Sequence, residues 1–174
     1  IESVKFVYKK TEIIDGKEKT TEYDVPTDGS ILSYDTLDMT YKLFFKGISA
    51  TTLKECGGIV TYQLPKGFKI RKTIEGKTIL SGSEVIGTMN VSTDGLVTIK
   101  YNDTYLNNLN DYQTLTGSFE VDAQIDMNKI DSSTGKVTIT TPKGDITLNY
   151  GLDYKEHYGN VSVVDKSWEK EATS

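Results

Sequence analysis

The chain has little of what catalytic or metal-dependent proteins usually display. Its 174 residues include one cysteine, one histidine, one tryptophan and three prolines. A single thiol, Cys56, closes no internal disulfide and builds no thiolate zinc cluster. A cysteine nucleophile needs a base, and the only histidine, His157, lies far along the chain in the polar stretch "DYKEHYGN". Cysteines without such a partner are mostly buried and inert, so Cys56 is expected to be a small core residue ahead of a strand. There is no Gly-rich phosphate loop, no HExxH, no GxSxG and no EF-hand loop. No catalytic residue, metal ligand or cofactor is therefore assigned, and the chain is not expected to be an enzyme.

Other absences narrow the partners. Apolar runs are only a few residues long, which excludes a membrane-spanning helix and argues against membrane insertion. The opening "IESVKFVYKK" has no positive region ahead of an apolar stretch. The chain is thus expected to be cytosolic, already trimmed, or a piece cut from something longer. Basic residues are in deficit: 20 Lys and Arg against 25 Asp and Glu leave a net charge of −5. A field of that sign repels phosphate backbones and anionic surfaces, so nucleic acid is not an expected partner.

What the chain does have is period-two alternation. In "FEVDAQID", Phe119, Val121, Ala123 and Ile125 face one way, and Glu120, Asp122, Gln124 and Asp126 the other. Such a strand has one buried and one wet face, as in an antiparallel sheet. "MTYKLFF" places Met39, Tyr41, Leu43 and Phe45 on a buried face. "IVTYQLP" does the same for Val60, Tyr62 and Leu64 and stops at Pro65, which has no N–H to give a ladder. "KVTITTP" and "DITLNYG", joined through "TPKG", read as a hairpin. "GFKIRKT", "KTIL", "EVIGTMNVS", "LVTIKY" and "NVSVVDK" are further strands. Helix signals are confined to short turns at "SATTLKEC", capped by Ser49, and "YLNNLNDY". About ten short strands with turns between them predict an all-β, two-layer sandwich with Greek-key connections.

Polar segments leave alternatives open. "IDMNKIDSSTG" and "YNDTYLNNLND" are rich in Asn and Asp and could supply oxygens to calcium, which takes about six to eight. Asn and Asp also fill turns because they tolerate turn dihedrals. Asn90, Asn102 and Asn160 fit the glycosylation pattern, as happens by chance in a chain rich in Asn and Thr. Of the eleven tyrosines, Tyr41, Tyr62 and Tyr101 fall on buried phases. Tyr105, Tyr112, Tyr154 and Tyr158 lie in polar segments and are expected to be freer.

The order "YQLPKGFKI", "GSEVIGTMNVSTDGLVTIKYND", "LTGSFEVDAQID", "KVTITT" resembles the N-terminal ligand-binding region of Gram-positive cell-wall adhesins. These are the MSCRAMM group, of collagen-adhesin and clumping-factor type. The resemblance covers residues 28–166, and its motifs are loose individually. It implies an immunoglobulin-like domain over residues 1–166, with 167–174 ("SWEKEATS") a linker or the start of a following domain. It also implies a non-enzymatic binding module, cell-wall anchored through a part of the chain not present here. The partners would be a host extracellular matrix protein or glycan and an adjacent domain of the same polypeptide. In that family an incoming segment adds to an acceptor strand ending in a motif like TYTFTDYVD. Here "VTIKYNDTY" matches, with Tyr101 in the place of Phe and Asp103 in the acidic place; Tyr105 comes one residue late after Thr104. The resemblance thus points to Thr98, Lys100, Tyr101, Asn102, Asp103 and Tyr105 as latch or ligand-binding residues on an edge strand. An ordinary sheet strand running into an irregular loop is the alternative. Many relatives also carry a Lys–Asn isopeptide bond, for which Lys42, Asp38 and Asn149 are candidates here. The first domain of collagen adhesins generally lacks the bond, and none is expected. A stalk or pilin-like spacer and a carbohydrate-binding module are the competing functions.

Overall fold

A computed structural model describes residues 1–155, which form an antiparallel β-sandwich. The strands are β1 (Ser3–Ile14), β2 (Lys17–Asp24), β3 (Asp38–Ser49), β4 (Ile59–Gln63), β5 (Phe68–Lys69) and β6 (Ile74–Ser81). They continue as β7 (Glu84–Val91), β8 (Leu96–Tyr101), β9 (Thr114–Ile125), β10 (Lys136–Thr141) and β11 (Gly144–Asn149). Among the described residues, helix occurs in α1 (Ala50–Glu55), α2 (Asp103–Asn107), two 3₁₀ turns, Tyr34–Leu37 and Met127–Lys129, and at Tyr154 and Lys155.

One layer is a five-stranded sheet in the order β2-β1-β3-β9-β5, and the other a four-stranded sheet in the order β4-β8-β7-β6. The alternation explains the packing. β3 and β9 pair so that Met39 meets Ala123, Tyr41 meets Val121 and Leu43 meets Phe119. These side chains share the inner face with Met89 and Val91 of β7 and Val97, Ile99 and Tyr101 of β8. Each fully buried aliphatic side chain contributes roughly 1.5–3 kcal/mol relative to exposure. The layers are also joined by a polar contact, because the Tyr41 hydroxyl hydrogen-bonds the Tyr62 hydroxyl across the core. Tyr62 in turn packs on Phe119 at 5.7 Å. Val60 and Tyr62 are half-buried rather than buried, since β4 is the outermost strand of its sheet.

The hairpin predicted through "TPKG" forms as β10 and β11, with Thr141 opposite Gly144. Its inner residues Val137, Ile139 and Leu148 join the core. The short helix after Ser49 forms too, with the Ser49 hydroxyl accepting from the Thr52 N–H at 3.1 Å. The second helix begins at Asp103, earlier than expected.

Three expectations need correction. Cys56 is exposed, not core. It is the C-cap of α1, ahead of Gly57 and Gly58 in left-handed conformations, so the chain turns there before β4 begins. Tyr154 is buried, with its hydroxyl turned to the Ile130 carbonyl, although the polarity of its neighbours suggests a free ring. The first 24 residues, where no strand is expected from the sequence, form the hairpin β1–β2. Its turn is Asp15–Gly16, both at positive φ (53° and 78°), the pair favoured in two-residue hairpin loops. "NVSVVDK", His157, Tyr158, Asn160 and the tail 167–174 lie outside the described residues.

Candidate functional site

The stretch resembling a latch acceptor is well defined. β8 is flanked on both sides: Ile99 lies opposite Val60 of β4 and opposite Met89 of β7. The hydrogen-bonding sides alternate along it. The Tyr101 N–H donates to the Gly58 carbonyl at 2.9 Å, towards β4, and the Asn102 N–H donates to the Ile86 carbonyl at 2.8 Å, towards β7. The edge-strand expectation is therefore overturned. A strand paired on both sides has no free N–H or C=O row to offer, so β8 accepts no latch. The edges of this sheet are β4 and β6.

The residues in question divide by face. Tyr101 is buried, Thr98 and Tyr105 are half-buried, and Lys100, Asn102 and Asp103 are exposed. Tyr105 stacks on Tyr101 at 5.4 Å between ring centres. Burial, and then the neighbouring Tyr105, push the Tyr101 phenol above its ordinary range. The Lys100 ammonium donates to the Gly57 carbonyl at 3.2 Å, and the Asn102 amide to the Val85 carbonyl at 3.1 Å. These polar side chains mainly tie down the sheet's outer face and the entry to α2.

A second arrangement is not visible in the sequence. A groove of about 430 Å³ opens between the Lys66–Gly67 turn, the Met127–Lys129 turn and the hairpin β10–β11. Lys66, Lys129 and Lys136 line it, with Thr134, Thr138 and Thr147 between them and Val137 at the apolar wall. Lys66, Lys129 and Lys136 are all exposed. The one carboxylate in the lining is Asp131. It accepts from the Ser133 hydroxyl at 2.6 Å and the Ser133 N–H at 2.8 Å, and these bonds hold its pKa below the usual carboxylate value. Gly67 keeps the groove's floor close-packed. It sits at φ 105°, and a Cβ there would lie 2.5 Å from Ile139 Cδ1. The lysines come from three separate segments, so no charge run announces them; only the fold collects them.

The other candidates resolve into structural roles. Asp126 accepts from the Asn128 N–H at 3.0 Å, and Asp131 is engaged by Ser133, so both close turns. Among the described residues, no three His, Cys, Asp or Glu side chains gather as a metal site would require. Lys42, Asp38 and Asn149 do not converge. Lys42 pairs with Glu22 and Glu120 on the outer face, Asp38 pairs with Arg71, and Asn149 donates to the Gly29 carbonyl. No described helix is long and apolar enough to cross a membrane.

Residues 30–136, more than half of the chain, match the family model of a bacterial Ig domain. The two antiparallel layers are the immunoglobulin-like fold that this match implies. The matched span contains β3 to β9, and leaves out both the β1–β2 hairpin and β11. No curated protein matches the chain.

Proposed function

We propose, for a chain that belongs to the bacterial Ig domain family, the role of a non-enzymatic binding module in a cell-wall-anchored surface adhesin. It acts with a following domain of the same polypeptide, and its ligand is a host matrix component. The observation that carries this reading is the lysine-lined groove between the Lys66–Gly67 turn and β10–β11. In a chain of net charge −5, three ammonium groups around one engaged carboxylate form a local site for anions. The interleaved threonine hydroxyls suit a polyhydroxylated ligand, so an acidic or sulfated glycan fits best. Residues 98–105 contribute to the reading only as contact surface through Lys100, Asn102 and Asp103. Bacterial Ig-like domains are typically extracellular, which agrees with such a ligand.

The test is calorimetric titration of the 174-residue protein with a sulfated glycosaminoglycan fragment. Binding should weaken steeply with salt. Replacing Lys66, Lys129 and Lys136 together by Ala should weaken it at least about tenfold, while the double Lys17→Ala/Lys77→Ala change should not. Absence of binding, or binding indifferent to the three groove lysines, sinks the reading and leaves a stalk or spacer role. Among the described residues, the exposed aromatics Tyr23, Tyr34, Phe44 and Tyr112 sit on β2, a 3₁₀ turn, β3 and the loop before β9. That scatter gives little support to an aromatic sugar-stacking platform.

A further inference from the structure

The β1–β2 hairpin lies outside the family match and is built unlike the rest of the sandwich. β1 pairs with β3 only from Ser3 to Val7. Among the described residues, its partner in the sheet from Tyr8 to Ile14 is β2 alone. The hairpin therefore runs on beyond β3 as a two-stranded ribbon, and residues 9–20 are all exposed. A two-stranded ribbon with no packed face is marginally stable in water. This one also ends in two exposed isoleucines, Ile13 (76%) and Ile14 (49%).

The register says which backbone groups are spoken for. Ile14 lies opposite Lys17 across the two-residue turn, and the Val25 N–H donates to the Phe6 carbonyl at 3.0 Å. In an antiparallel ladder the bonded side alternates, so Phe6, Tyr8, Lys10, Glu12 and Ile14 bond to β2. Lys9, Thr11 and Ile13 then aim their N–H and C=O groups away from β2, on the side where β3 no longer pairs with β1. That is an open edge.

We infer that this edge is an interface with a second copy of the chain, formed by antiparallel pairing of the two β1 strands about a two-fold axis at Thr11. The sequence of the edge is self-complementary in that register. Thr11 meets Thr11 of the second copy. Lys10 lies opposite Glu12 and Glu12 opposite Lys10. Tyr8 meets Ile14, and the aliphatic stem of Lys9 covers Ile13. The backbone phase agrees, because an axis at Thr11 pairs the outward-bonding residues with one another. Charges on an edge normally repel strand addition. Here Lys10 and Glu12 reject a strand of arbitrary sequence but fit their own two-fold mate. The product is a four-stranded sheet, β2-β1 of each copy, which covers Ile14 with Tyr8, the ring that Tyr23 already stacks at 5.5 Å.

Sedimentation equilibrium of the whole protein, from about 1 µM to about 1 mM, should show a monomer–dimer equilibrium in the range of weak interfaces. Thr11→Pro removes an outward N–H that β2 does not use, and should raise the dissociation constant at least about tenfold. Lys10→Glu and Glu12→Lys should each weaken self-association alone. Mixed in equal amounts, they should associate, because each supplies the charge the other lost. Amide exchange at Lys9, Thr11 and Ile13 should slow as concentration rises, with Tyr101 as the invariant control. A monomer at every concentration overturns the inference. So does a dimer that Thr11→Pro leaves intact, or a mixture no more associated than its parts.

Discussion

Thr98→Pro separates an interior β8 from an edge β8 more sharply than any other single substitution. Thr98 lies opposite Asn90 of β7 and Thr61 of β4. The Asn102 N–H donates towards β7 and the Tyr101 N–H towards β4. By alternation, Thr98 donates towards β7, to Asn90. Proline removes that donor. The lost bond costs about 1 kcal/mol net, and an acceptor orphaned inside the sheet adds about 1–3 kcal/mol. The fixed proline φ in a central strand strains the ladder further. The expected loss is therefore about 3 kcal/mol or more, a large share of the ~5–15 kcal/mol that holds a typical domain together. Thr61→Pro is the matched control. Thr61 is exposed on the edge strand β4, and the same alternation turns its N–H away from β8, so its loss should be no more than about 1 kcal/mol. Urea unfolding followed by circular dichroism measures both midpoints. If Thr98→Pro unfolds at the wild-type midpoint, or the two variants fall together, β8 has a free side and the order β4-β8-β7-β6 is wrong.

Three further outcomes are expected. Burial, then the hydrogen bond and charge of Tyr62, raise the Tyr41 phenol, and burial, then Tyr105, raises that of Tyr101. A phenol whose folded pKa exceeds its unfolded value gives stability that is complete below about pH 10 and lost as pH climbs towards the folded value. Urea midpoints should accordingly fall from pH 10 upward, by up to about 1.4 kcal/mol per pH unit for each of the two; equal midpoints at pH 9 and pH 11 would contradict this. Gly87→Ala should destabilise by about 1–3 kcal/mol, because its Cβ would run into the Lys100 carbonyl and come within 3.0 Å of Tyr101 Cα. A variant of unchanged melting temperature would mean that β7 and β8 are less tightly apposed. Cys56, exposed after α1, should react with a thiol reagent in the native protein almost as fast as in urea; labelling only on unfolding would put it back in the core.

Side-chain alternation reports only one of a strand's two transverse directions. It tells which residues point up and which point down, because burial selects side chains, and it therefore places Tyr41, Leu43, Phe119, Val121, Ile125, Val97 and Ile99 on the inner face. The hydrogen-bonding groups lie in the plane of the sheet, left and right, and every non-proline residue carries the same ones. Which strand stands at an edge is thus nearly silent in the side chains. That is why β8 looks open in the sequence. Its polar residues Thr98 and Lys100 are the outer face of an interior strand, with the Lys100 ammonium on Gly57. The same silence hides the opposite case. Beyond Tyr8, β1 buries no face, so it shows no alternation, and only Asp15–Gly16 marks the turn. The lysine groove is illegible for a third reason: Lys66, Lys129 and Lys136 stand on separate segments that only the assembled fold brings around one groove. Faces can thus be read locally, whereas edges and clefts belong to the assembled sheets. A functional surface in a fold of this kind is most exposed to misreading wherever it is made of backbone or of residues gathered from afar. The open edge of β1 is the first sort and the lysine groove the second.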